Sequence, residues 1–105
     1  MRLVFLDDDL RRLYVEPNFH LKRFGQDLVR AYRKQVGLLA SVSNEAELRN
    51  FKGLRLERLK GARADQHSIR LNDQWRLILQ FRTGGDGKSV VVIEIVDYHL
   101  SLIHI

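Results

Sequence analysis

Between Gln66 and Phe81 two runs of alternating apolar and polar residues flank a short polar break, and the break admits few pairings. In the first run Ile69 and Leu71 share one side of an extended chain, with Ser68 and Arg70 on the other. In the second, Trp75, Leu77, Leu79 and Phe81 share a side, with Arg76, Ile78 and Gln80 opposite. A two-residue turn at Asn72-Asp73 pairs Arg70 with Trp75 and Ile69 with Arg76, which mixes the faces. A three-residue loop, Asn72-Asp73-Gln74, pairs Leu71 with Trp75 and Arg70 with Arg76, and both faces then agree. A slip of one residue would bury charge, because side chains alternate with period two. The segment therefore predicts an antiparallel hairpin with Arg70 and Arg76 side by side on the face away from the core. Like charges directly opposite are mildly destabilising, and an anion held between them would relieve that.

The remaining elements build outward from this hairpin. Arg2 to Leu6 reads as a short strand. Asp7 to Asp9 can cap a helix over about Asp8 to Val15, which ends near Pro17 because the residue before a proline is pushed out of the helical region. Leu21, Phe24, Leu28, Tyr32, Val36 and Leu39 recur at steps of three and four, predicting one long helix ending near Ala40. Ser43-Asn44-Glu45-Ala46-Glu47 looks like a capped helical turn reaching Asn50. Val90 to Tyr98 is a third β candidate after the turn signal Thr83-Gly84-Gly85-Asp86-Gly87. The order predicts an α+β fold, with a strand and two helices packed on one face of a small, mainly antiparallel sheet. At 105 residues the chain fits one domain over 1–105.

Charge is unevenly spread. The formal net charge is +5, yet Arg49 to Arg82 holds nine Lys or Arg against three Asp or Glu, a net +6. Such a stretch favours a polyanion, nucleic acid or an acidic protein. There is no cysteine, which excludes disulfides and thiolate chemistry and fits a reducing, cytoplasmic setting. The N-terminus Met1 to Leu6 is apolar for only four residues before Asp7, too short for a signal peptide or a membrane span, so no membrane partner is expected.

Most chemical signatures are missing. There is no phosphate-binding glycine loop and no HExxH, and the histidines His20, His67, His99 and His104 lack zinc-like spacing, so neither metal nor other cofactor is expected. His67 and Ser68 are no dyad, since neighbouring strand residues face opposite ways. Trp75, Tyr14 and Tyr32 read as packing residues. What remains is Glu57, Lys60, Arg63, Arg70, Arg76, Tyr98 and His99, with Lys52 and Arg58 as further cations of the basic stretch. A ribonuclease that uses the RNA's own 2′-hydroxyl needs a base, cations for the phosphorane-like transition state and an acid for the 5′-oxygen. These residue types supply all three.

The run from Leu59 to Arg76, LKGARADQHSIRLNDQWR, resembles the central motif of HigB toxins, typically LKGDRxGQxSIRxNxQWRI, and Val96-Asp97-Tyr98-His99 resembles their closing VDYH. The resemblance to this branch of the RelE superfamily implies a RelE-like fold, ribosome-dependent cleavage of mRNA and neutralisation by a helix-turn-helix, HigA-like antitoxin. It implies no small-molecule substrate. HigB toxins often carry a histidine just before the LKG run, where this chain has Glu57. The related YoeB toxins carry a glutamate general base there, arginines matching Arg70 and Arg76, and a histidine near the C-terminus like His99. The resemblance thus implies Glu57 as general base, Arg70 and Arg76 on the scissile phosphate, His99 as general acid with Tyr98 as alternative, and Lys60, Arg63, Arg58 and Lys52 on RNA. Ala62 and Asp65 depart from the usual acid and glycine of the motif. A ParE-like toxin, which shares the fold but inhibits DNA gyrase without cutting RNA, is the alternative. HigB sequences usually stop near the VDYH histidine, whereas Leu100-Ser101-Leu102-Ile103-His104-Ile105 follows it here. That apolar tail is expected to pack against the domain or a partner.

Overall fold

In a computed structural model, described here for residues 1–85 and 87–98, the chain forms β1 (Arg2–Phe5), α1 (Asp8–Val15), α2 (Gln26–Ser41), α3 (Glu45–Leu48), β2 (Glu57–Arg58), β3 (His67–Arg70), β4 (Trp75–Gly84) and β5 (Gly87–Asp97). Asp86, His99 and the tail 100–105 lie outside the described residues. The five strands lie in the order β1-β5-β4-β3-β2, antiparallel throughout except that β1 runs parallel to β5. The architecture is the expected α+β, with the helices on one face of a mainly antiparallel sheet.

Local chemistry sets the helix ends. The Asp7 carboxylate accepts from the Asp9 N–H at 2.7 Å, and Asp8 and Asp9 sit in the first turn of α1, where the helix dipole favours negative charge. Asn44 caps α3 by accepting from Glu47 N–H at 3.2 Å. The long apolar stripe forms the core as expected, but its first two members are not helical. Gly25 is the N-cap of α2, and Leu21 and Phe24 pack against the core from the irregular segment before it. Phe24 meets Trp75 edge-on, with ring centroids 5.8 Å apart. Tyr14 stacks near Phe5, and the buried Tyr32 hydroxyl donates to the Leu10 carbonyl at 2.7 Å, tying α2 to α1. Burial among these apolar neighbours pushes the Tyr32 phenol well above its ordinary pKa.

The β3–β4 hairpin takes the three-residue loop. Ile69 pairs with Leu77 and Arg70 with Arg76, and Leu71 N–H reaches the Trp75 carbonyl at 3.0 Å. The Asn72 side chain closes the loop, its Oδ1 accepting from the N–H groups of Gln74 at 2.9 Å and Trp75 at 2.8 Å. This is the Asx-turn chemistry that favours asparagine in tight loops. Two features were not expected from the sequence: the two-residue strand β2 at the sheet edge, and an irregularity in β4–β5 pairing. Ile78 pairs with Glu94 but Leu79 pairs with Val92, so Ile93 is an extra residue, a β-bulge.

Asn72→Ala removes both loop-closing bonds. It is expected to lower unfolding free energy by about 1–2 kcal/mol, by the usual worth of such bonds, as measured by denaturant titration. His67 gives a second expectation. Its ring sits edge-on to Phe81, 5.1 Å between centroids, and burial lowers its pKa, opposed by Glu45 and reinforced by Arg49 and Arg58. A depressed folded-state pKa means the folded protein binds fewer protons, so the stability tied to neutral His67 is present above the unfolded pKa and lost as pH falls through the folded one. The melting temperature should fall more between about pH 7 and 5 in the parent than in His67→Gln.

Candidate active site

The sheet face away from the helices carries the charged residues. Register fixes its membership. Glu57 pairs with Ser68, Ser68 with Ile78 and Ile78 with Glu94, making one row across four strands. The next row is Arg70, Arg76 and Val96. Residues paired directly across a ladder point to the same side, so Glu57, Arg70 and Arg76 share a face, with Glu57 diagonal to Arg70. Tyr98 joins them, its ring lying 4.5 Å from the Arg76 guanidinium carbon.

The bulge at Ile93 makes this arrangement possible. Val90 and Val92 face the core. Unbroken alternation would carry Glu94, Val96 and Tyr98 to the core side with them. The extra residue reverses the phase, so Ile95 turns to the core opposite Leu77, and Glu94 and Val96 turn to the charged face.

Arg76 is the distinctive group. It is only 6% exposed, and its partners are the Tyr98 ring and the carbonyl of Arg55, which accepts from Nη1 at a long 3.4 Å. No carboxylate pairs with it among the described residues. Arg55 itself adopts a left-handed backbone conformation, φ 48°, which disfavours a residue with a Cβ. Arg70 differs from its neighbour: it is half-buried and ion-paired with Asp73 of the loop, which offsets the repulsion between the two arginines.

The segment between β2 and β3 lies over the same face. Leu59 N–H bonds the Gln66 carbonyl at 2.9 Å, closing a small lobe, and Gly61 takes φ 65°, a value open to glycine. Arg63 reaches Glu94 at 2.7 Å, and Asp65 accepts from the Gln80 side-chain amide at 2.8 Å. Asp65, in place of the motif's glycine, therefore anchors the lobe to β4. The lobe and sheet bury Ser68 completely, leaving its hydroxyl without a partner. Glu94 and Asp73, missed as site residues from the sequence, turn out to hold two of the expected cations. Asp73 is legible as an i,i+3 partner of Arg70, whereas Glu94 depends on the bulge.

The other expected residues are placed as follows. Glu57 is exposed. Arg58 pairs with His67 in register, so it points to the opposite face from Glu57, and its Nε donates to the Ala64 carbonyl at 2.9 Å. Lys60 is exposed at the start of the lobe, and Lys52 is exposed at the short helical turn Lys52–Leu54. His99 lies outside the described residues. Among the described residues no group of three or more His, Asp or Glu side chains is placed to hold a metal ion, and no helix is long and apolar enough to cross a membrane.

Comparison with known proteins gives the fold and the family. A solved structure described as a YoeB/ParE toxin from Agrobacterium tumefaciens superposes with a TM-score of 0.59 at 22% identity, over 92% of this chain and 98% of that one, which is a likeness of fold. A search of curated proteins found no match. The family model for the RelE-like HigB toxin of type II toxin–antitoxin systems matches residues 3–99. Nearly the whole of the described sheet, the charged face included, lies within that match, and the chain belongs to the HigB-like toxins of type II toxin–antitoxin systems, a family that implies a cognate antitoxin as partner.

Proposed function

We propose that this toxin is an endoribonuclease that cuts mRNA on the ribosome by attack of the RNA's own 2′-hydroxyl. The observation that carries the reading is Arg76, a desolvated guanidinium beside Arg70 with no carboxylate partner among the described residues. A buried cation in that state favours an anion, and a scissile phosphate is an anion whose oxygens a planar guanidinium can meet with two N–H groups. In this reading Glu57 takes the 2′-hydroxyl proton as the 2′-oxygen bonds to phosphorus. Arg70 leaves Asp73 and, with Arg76, holds the non-bridging oxygens as negative charge grows there. The bond from phosphorus to the 5′-oxygen breaks, leaving a 2′,3′-cyclic phosphate, and His99 protonates the departing oxygen. Tyr98, with its ring on Arg76, holds that guanidinium in place and is the competing acid. Lys60 supports the backbone of the RNA, with Lys52 further out, while Arg63, held by Glu94, and Arg58, on the opposite face from Glu57, add to the positive field around it. The chemistry has no step that requires a metal ion.

The cognate antitoxin is proposed to be of the helix-turn-helix, HigA-like kind, covering the basic surface with an acidic segment. Both partners would act in the cytoplasm.

Removal of a general base or acid lowers rates by about 100- to 10,000-fold. Glu57→Gln and His99→Ala should each lose mRNA cleavage on translating ribosomes by at least the low end of that range, with fold and antitoxin binding intact. Tyr98→Phe keeps the ring on Arg76 and lacks the hydroxyl, so a comparable loss there would transfer the acid role to Tyr98. Normal cutting by Glu57→Gln would end the glutamate-base assignment. Full toxicity of these variants without any RNA cleavage would favour gyrase inhibition.

Antitoxin association should slow as salt rises, because charge steering is screened over about 8–10 Å at ordinary ionic strength. Association rates measured by stopped flow at several salt concentrations test this, and a flat profile would remove the electrostatic argument.

A further inference from the structure

Phe51 is an aromatic residue left in the open by this fold, 45% exposed on the short connection between α3 and the helical turn Lys52–Leu54. It stands between two surface hollows, of about 220 and 350 Å3, and lines both. The first is edged by Arg49, Lys52 and Arg55, the second by Lys34 and Arg70, and no acidic residue lines either one. Arg70 therefore belongs to two places at once: it pairs across the sheet with Arg76, and it closes one end of the hollow beside Phe51.

We propose that Phe51 is a stacking platform for an RNA base next to the scissile phosphate, with Lys34, Arg49, Lys52 and Arg55 holding the flanking phosphates. The proposal rests on the ribonuclease reading and extends it by one binding subsite. A flat exposed ring ringed by cations is the chemistry that single-stranded nucleic acid uses, since every base has a π-face and every link a negative charge. Size is compatible with this: the hollows lie at or below the low end of the roughly 300–1,000 Å3 of small-ligand cavities, room for a base or a phosphate and not for a larger ligand. An amphipathic antitoxin helix needs a groove with exposed anchors spread over two turns, whereas Phe51 is the one exposed apolar side chain lining these hollows, their leucines Leu38, Leu48, Leu54 and Leu56 being buried or half-buried. Arg70 is the residue the two places share: it pairs in register with Arg76 and lines the hollow beside Phe51, so a strand held at Arg70 lies next to both.

Three proteins test this: the parent, Phe51→Ala and Phe51→Trp, each checked for an unchanged melting temperature. Cleavage of ribosome-bound mRNA should fall about tenfold or more in Phe51→Ala, the usual scale for losing one stacked base, and should return in Phe51→Trp. Titration with a short 2′-O-methyl RNA, which lacks the attacking hydroxyl, should quench the fluorescence of Phe51→Trp beyond the quenching of Trp75 seen in the parent. If Phe51→Ala cuts like the parent and Phe51→Trp shows no added quenching while Glu57→Gln is inactive, the stacking site is wrong and the ribonuclease reading stands. If the parent cuts no RNA yet Phe51→Trp is quenched, the subsite stands and the ribonuclease reading fails. Unchanged cleavage and RNA binding in Phe51→Ala with weakened antitoxin binding would overturn the proposal and give the surface to the antitoxin.

Discussion

The Asn72 side chain, accepting from Gln74 and Trp75, fixes the length of one loop, and that length decides what every side chain of β3 and β4 faces. With three residues in the connection, Ile69, Leu71, Leu77 and Leu79 enter the core together. Ser68, Arg70, Arg76 and Ile78 go to the other side. A loop one residue shorter would exchange these memberships within one strand and bury guanidinium groups in the helix-facing core. The hydrophobic free energy of this one hairpin, about 1.5–3 kcal/mol for each buried aliphatic side chain, thus stabilises the placement of the arginines as much as it stabilises the core. The charged face depends on packing that it does not itself touch.

The second determinant is the bulge in β5. It lets a strand whose first half faces Val90 and Val92 inward present Glu94, Val96 and Tyr98 outward. One inserted residue brings the aromatic ring to Arg76 and the carboxylate to Arg63. The two contacts act differently. Glu94 neutralises Arg63 and draws the lobe onto the sheet, covering Ile78 and Ser68. Tyr98 covers Arg76 without neutralising it, so one cation is spent on architecture and the other keeps its charge.

Those facts also explain what could be read from the sequence. The hairpin register, the caps at Asp7 and Asn44, and the core stripe Leu28, Tyr32, Val36 and Leu39 follow from local periodicity and side-chain chemistry, and they hold. The start of α2 does not, because Leu21 and Phe24 have helical spacing yet pack from an irregular strap, and the stripe records what is buried rather than what is helical. Gly25 is the break that periodicity overrides. The edge strand β2 has two residues, too few for any alternation, and its existence depends on pairing with β3. The bulge is least legible of all: Val90 to Val96 reads as an unbroken apolar run apart from Glu94, so the sequence offers no phase to break. Whether Tyr98 or its neighbour shares a face with the arginines therefore cannot be worked out by counting along β5. It follows from the Ile93 insertion and is visible in the ring on Arg76.

The energetics of Arg76 connect fold to function. Effective penalties for burying a charged group run to several kcal/mol even after relaxation. Against this, a cation–π contact in a desolvated site returns about 2 kcal/mol. A charge-assisted hydrogen bond returns about 1.5–3 kcal/mol at good geometry, and the bond to the Arg55 carbonyl is too long to reach that range. The known partners leave the guanidinium under-compensated in the folded protein. The deficit is met by the rest of the fold, whose apolar core holds β4 in place whether or not Arg76 is satisfied. An anion that enters beside it meets a donor already dehydrated and oriented, so little reorganisation remains at the moment of binding. Arg70 stands at the other limit, half-buried and held by an exposed aspartate whose ion pair is worth little in water. It can exchange Asp73 for another anion at small cost. A rigid cation with no carboxylate partner among the described residues, next to a loosely paired one, gives the face both a fixed point and an adjustable one, the combination that the proposed phosphate, changing shape during reaction, would require.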